Sequence, residues 1–287
     1  MIIGEDRRAV IENIRKFAES GLFYEKVELN DPVLTEEECK ALTDKYLKDR
    51  FSISFRVKSS VGVAMANAAT RMINKNTEIV GIERIPKDIG GMIITSNHFS
   101  PLENTLIRHL IKKLGRNKLK IISQATNFAM SGVVGFLMNY ADTVPLSPDP
   151  RYLAKELPAL LKKSLCENGE AVLIYPEQEM WFNYRKPRPP KIGAYRYAAK
   201  LNIPVVSCFA EIIDLDEDDT DEFKKVRYVL HVLDVLYPDA NLSVRENAAL
   251  LAKRDYGLKK ACYESVYGKR LTYEFESSDI AGWKGSL

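Results

Sequence analysis

In GMIITSNHFSPLEN, residues 91–104, an unbroken apolar run stops at Ser96-Asn97-His98 and gives way to Ser100-Pro-Leu-Glu103, a helix-start pattern with proline at the first helical position. Apolar runs without polar alternation suit strands buried on both faces, as in parallel sheets covered by helices. Further runs of this kind occupy 119–123 (LKIIS), 171–175 (AVLIY), 204–210 (PVVSCFA) and 226–235, and helical patterns fill 101–114, 152–165 and 194–200 between them. The alternation predicts an α/β domain over residues 77–287, a mostly parallel sheet flanked by helices, closed by a last helix over 243–267.

Residues 1–76 lack any strand-like run and read as an N-terminal helical appendage, with helices over 2–19, 36–49 and 56–73. A capping box, Thr35-Glu-Glu-Glu38, opens the second. The third is rich in small residues and flanked by Arg56, Lys58, Arg71 and Lys75, so it suits either a membrane surface or packing on the main domain. No internal repeat or low-complexity linker separates these parts.

With 287 residues, 46% of them hydrophobic, the chain can bury one substantial core. Cys39, Cys166, Cys208 and Cys262 are scattered without Cys-x-x-Cys spacing, which points away from zinc sites and disulfide frameworks and toward a reducing, cytoplasmic setting. The first residues carry acids among their bases and lack a signal-peptide core. Nothing approaches the roughly 20 apolar residues that span a bilayer, so membrane contact is expected to be peripheral. The net charge is only +3, yet no acid lies between Glu103 and Asp142, where Arg108, Lys112, Lys113, Arg116, Lys118 and Lys120 gather. Such a block is either a set of solvated helix faces or an anionic-surface contact. Residues 211–222 hold an acidic run.

His98 follows a strand end, where ligands of open α/β sheets collect. An imidazole can take a proton from an alcohol near neutral pH if a carboxylate fixes its tautomer, and Glu103 lies five residues on. The same residues also read structurally, with Glu103 reaching back to the Ser100 amide as half of a capping box. A second segment, YPEQEMW at 175–181, follows another buried run and leads into FNYRKPRPPK, where Arg185, Lys186, Arg188 and Lys191 alternate with aromatics and prolines. This loop could clamp a phosphate, face solvent, or stack single-stranded bases. The lack of a wider basic stripe argues against nucleic acid. His109 and His231 sit in no metal-ligand spacing, so no metal is expected.

The ordered set GIERIP…GGMIITSNHFSPLE, GFLMNYADTVPL, VLIYPEQE and KIGAYRYAAKLNIPVV resembles the 1-acylglycerol-3-phosphate acyltransferase family over residues 77–210. The resemblance implies His98 as catalytic base and Glu103, in place of the commoner Asp, as the carboxylate that polarises it. It further implies substrate-binding roles for Asn97, Ser100, Gly135, Tyr175, Pro176, Glu177 and Lys191. Met138-Asn139-Tyr140 and Gln178-Glu179-Met180 stand where that family carries substrate-binding arginines, so Arg185, Lys186 or Arg188 is expected to replace them, with Arg151 a weaker candidate. The implied reaction moves a fatty acyl group from acyl-CoA or acyl-carrier protein to the hydroxyl of a lysophospholipid in phospholipid synthesis. It would run at the inner face of the membrane, without cofactor, metal or acyl-enzyme. A lipid-binding protein that kept the fold without turnover is the alternative.

Overall fold

The computed structural model describes residues 6–286. Seven strands form one sheet: β1 (Glu78–Val80), β2 (Met92–Thr95), β3 (Leu119–Gln124), β4 (Thr143–Leu146), β5 (Ala171–Leu173), β6 (Val205–Asp218) and β7 (Lys224–Leu236), in the order β1-β7-β6-β2-β5-β3-β4. Every pairing is parallel except β6 with β7, which are joined by a hairpin and therefore run antiparallel. The architecture is the expected mostly parallel, helix-flanked α/β sheet.

The unalternating runs bury both faces. Met92 and Ile94 enter one core with Leu106, Ile107 and Leu110 of helix α4 (Asn104–Lys113). Ile93 enters the other with Leu157 and Leu161 of α6 (Leu157–Lys162), Tyr195 and Ala198 of α7 (Gly193–Leu201), and Ala248 and Leu251 of α8 (Val244–Tyr267). π-type turns, Tyr152–Glu156 and Lys163–Glu167, extend α6 at both ends.

Before the sheet come α1 (Arg7–Glu19), α2 (Glu36–Asp49) and α3 (Ile53–Ile73); residues 2–5 of the first expected helix lie outside the described part. The Thr35–Glu38 capping box forms as read. Helix α3 packs on the main domain: the Ser59 hydroxyl donates to the Tyr140 carbonyl (2.8 Å), and a Cβ on Gly62 would sit 3.0 Å from that carbonyl group. Tyr140 ends α5 (Gly132–Tyr140), a helix the sequence reading did not assign.

Two strands were also missed. β1 is a three-residue edge strand with little burial, and β4 contains Pro145, which an edge strand tolerates because one side of its backbone needs no ladder bond. Most of the acidic run is strand: Glu211–Asp218 forms the outer half of β6, where Lys224 and Lys225 face Asp216 and Glu217 at 3.7 and 2.8 Å.

Candidate active site

Strands β5 and β6 flank β2, with Ile94 in register with Leu173 on one side and Val206 on the other. Their carboxyl ends are therefore neighbours, which brings SNHF and YPEQE together although 79 residues separate His98 from Glu177. Glu103 makes both of the contacts the sequence offers, to His98 and to the Ser100 amide, but no capping box forms: α4 starts at Asn104, with Glu103 itself at its N-cap. Its Oε1 pairs with His98 Nδ1, while Oε2 accepts from the backbone amides of Phe99 and Ser100, the latter at 2.9 Å. The carboxylate is 3% exposed and the imidazole 20%, so the acid is enclosed and the histidine still reaches solvent. With Nδ1–H donating to Glu103, the neutral tautomer presents an unprotonated Nε2.

Tyr175 stacks on the imidazole, ring centroids 4.2 Å apart and planes 7° from parallel. Burial, and then the Glu103 carboxylate, hold its phenol well above the ordinary value, so it stays neutral. One face of the histidine is thus shielded and its rotation blocked.

The backbone of His98 is held by the second segment. Its amide donates to Glu177 Oε2 (3.2 Å), and its carbonyl accepts from the Trp181 amide (3.0 Å). Glu177 is matched by Arg188, whose Nη2 lies 3.0 Å from Oε2 and whose amide donates to Oε1 (3.0 Å). Arg188 also donates to the Phe23 carbonyl (2.8 Å) and to that of Glu179, and stacks its guanidinium 4.4 Å over the Trp181 ring. Burial pulls this guanidinium below its ordinary value, and Glu177 opposes the shift.

The cations expected to bind phosphate are therefore engaged internally. Arg188 is 2% exposed; Lys186 is 3% exposed and donates to Asp279 (2.6 Å) and the Glu274 carbonyl (2.7 Å). Arg185 pairs with Asp214 and donates to the carbonyls of Ile212 and Ser278. Each has a local counter-charge or carbonyl cage, so these three act as scaffold. Lys191 differs: it is exposed, its amide donates to the Pro176 carbonyl (2.7 Å), and its ammonium lies 3.7 Å from the centroid of the Tyr24 ring. Arg151 is also exposed.

Asn97 and Gly135 are likewise structural. The Asn97 side chain is 1% exposed and both donates to and accepts from the backbone of Ala210, at 3.0 and 2.8 Å, stapling the end of β2 to β6. Ser100 receives the Leu102 amide on its hydroxyl. A Cβ on Gly135 would lie 1.8 Å from the Met130 carbonyl oxygen, so only glycine fits. Gly135→Ala is expected to destabilise the fold by about 1–3 kcal/mol through overpacking, read as a lower urea midpoint at unchanged slope. Gln178 takes φ 66°, a left-handed conformation that a side chain makes costly.

The basic block is mostly tied down as well. Arg108 is 4% exposed and shares Asp142 with Lys120, and Arg116 donates to the carbonyls of Ile89 and Gly169. Lys113 and Lys118 remain exposed.

Residues 76–211 match the family model described as Acyltransferase, a span that contains both His98–Glu103 and the segment holding it. Those residues form an acyltransferase-family domain. No curated protein matches this chain in sequence. Among solved structures, the crystal structure of the 1-acyl-sn-glycerophosphate (LPA) acyltransferase PlsC from Thermotoga maritima is similar in fold. It is 19% identical, with a TM-score of 0.50, over 83% of this chain and 100% of that one. The elements that complete the site lie partly outside the acyltransferase match: Phe23 precedes it, while Asp279 and α8 follow it. Sequence reasoning missed them because nothing local links a cation on a proline-rich loop to carbonyls 165 residues away.

Proposed function

We propose that this protein transfers a fatty acyl group from acyl-CoA or an acyl-carrier protein to the free hydroxyl of a lysophospholipid, with 1-acylglycerol-3-phosphate the foremost acceptor. The observation that carries this reading is the enclosed Glu103 fixing His98 at the carboxyl end of β2, inside an acyltransferase-family domain. His98 Nε2 accepts the hydroxyl proton as the alcohol oxygen bonds to the thioester carbonyl carbon. The tetrahedral intermediate then collapses with loss of the thiolate, which takes the proton back from the imidazolium. Glu103 stabilises the imidazolium in between and never needs to accept the proton. The chemistry calls for no metal, cofactor or acyl-enzyme. Lys191, as the exposed cation beside Pro176, is the side chain best suited to the acceptor phosphate.

Both substrates carry long chains, which favours work at a lipid surface, and the proposed location is the cytoplasmic face of the membrane. Among the described residues no helix is long and apolar enough to cross a membrane. Helix α3, however, exposes Ile53, Val57, Val61 and Met65 at four-residue steps, and Met72 two turns further on, with Val133 and Val134 of α5 also exposed. The exposed Arg56, Lys58, Arg71 and Lys75 accompany this stripe, a composition suited to an anionic interface. Val57→Asp/Met72→Asp is expected to weaken partitioning into phosphatidylglycerol-containing vesicles at least about tenfold, given roughly 1.5–3 kcal/mol per buried apolar side chain. Co-sedimentation checks this, and unchanged partitioning removes α3 from the contact.

The function is tested by incubating the protein with labelled acyl-CoA, or acyl-carrier protein, and a panel of lyso-acceptors. Product with one acceptor class identifies it. Lipid binding without transfer from either donor favours the second reading, a lipid-binding protein, which the absence of arginines at Met138-Asn139-Tyr140 and Gln178-Glu179-Met180 motivates.

A further inference from the structure

A second buried polar cluster lies at the end of β2, three residues before the histidine. Thr95, the last residue of β2, donates its hydroxyl to the Asp255 carboxylate (3.0 Å to either oxygen) and accepts from the Lys259 ammonium (2.9 Å). Asp255 and Lys259, one turn apart on α8, pair at 2.6 Å, and the Tyr195 hydroxyl of α7 also donates to Asp255. Thr95, Tyr195 and Asp255 are 0% exposed and Lys259 3%. A charged pair on a helix face ordinarily points to solvent, because desolvating both ions costs several kcal/mol that only well-satisfied geometry recovers. Here the threonine hydroxyl uses donor and acceptor capacity together, so the cluster closes around the end of β2.

That place in the chain gives the cluster its consequence. Thr95 is tied to α8, Asn97 to β6, and the His98 amide to Glu177: three nearby residues, each anchored to a different element. Apolar packing would bury the strand end without fixing its position along the strand axis, whereas two ions and a hydroxyl allow one arrangement. α8 lies beyond residues 76–211, so this anchor is not part of the family match.

We infer that Asp255 and Lys259 are positioning residues for the catalytic histidine, acting through the Thr95 hydroxyl to hold His98 in line with Glu103 and the acceptor. The kinetic part rests on the acyl-transfer reading. Misplacing a reacting group by about 1 Å can cost 10²-fold, and partial release of β2 should cost roughly tenfold.

The test is Thr95→Val, nearly isosteric and lacking only the hydroxyl, beside Thr95→Ser, which restores it. At a temperature where all proteins are folded, the valine variant should lose about tenfold in kcat with KM for donor and acceptor unchanged, and serine should recover most of the loss. The independent readout is the downfield Nδ1 proton resonance of His98 in the NMR spectrum, which should move in the valine variant and return with serine. A folded valine variant with wild-type kcat and an unmoved resonance overturns the proposal, as does a loss of kcat that tracks only the unfolded fraction. A wild-type protein inactive with every acceptor, whose His98 resonance still moves on Thr95→Val, sinks the acyl-transfer reading and supports the positioning role.

Discussion

His98→Ala is expected to lower kcat for acyl transfer by about 10²- to 10⁴-fold, the range a positioned general base contributes. The imidazole pairs with the buried Glu103 carboxylate and is itself still open to solvent, so its removal takes away the base at the end of β2. The fold should survive. Glu103 keeps the Phe99 and Ser100 amides, and the His98 backbone contacts with Glu177 and Trp181 do not involve the ring. Initial rates at saturating donor and acceptor, with circular dichroism to confirm folding, measure the effect. Equal rates in variant and wild type would remove His98 from the chemistry.

The largest stability effect is expected from Arg188→Met. Methionine fills part of the same space but leaves Glu177, 3% exposed, with a buried charge and no counter-ion. Breaking one side of a buried pair typically costs about 3–5 kcal/mol. Because Glu177 also holds the His98 amide, activity should fall beyond the loss of folded protein. Glu177→Gln/Arg188→Met should recover part of the stability, since the uncompensated charge is gone. Urea titrations of the two single variants and the double variant give the coupling; strictly additive effects would mean that the pair is not a unit.

The fold was legible wherever burial leaves a local mark. β2, β3, β5 and the inner part of β6 are buried on both faces and read as continuous apolar runs, and Thr35 with Glu38 marked the start of α2. β1 and β4 left weak marks because edge strands can be short, exposed or interrupted by proline. The outer half of β6 alternates exposed acids with partly covered residues and so resembles a solvated loop. In the site, His98 and Glu103 were legible because they meet within one turn of chain. The fate of Arg185, Lys186 and Arg188 was not: three cations among prolines look like surface, and what encloses them arrives from residues 23–25 and 274–281. The α8 pair was hidden for a similar reason, since its spacing equals that of an ordinary surface ion pair.

Both ends of the described chain clasp the loop that backs the histidine. Arg188 and Trp181 donate to the carbonyls of Phe23 and Glu25, while Asn183 and Arg185 bond to Ala281 and Asp279. During synthesis the first clasp is available early, but the second emerges only after every strand has been made. Until β6 and β7 are made, β1 has no partner in the sheet and the wall behind His98 lacks its second clasp, so the reaction centre forms only once the segment around Ala281 is in place.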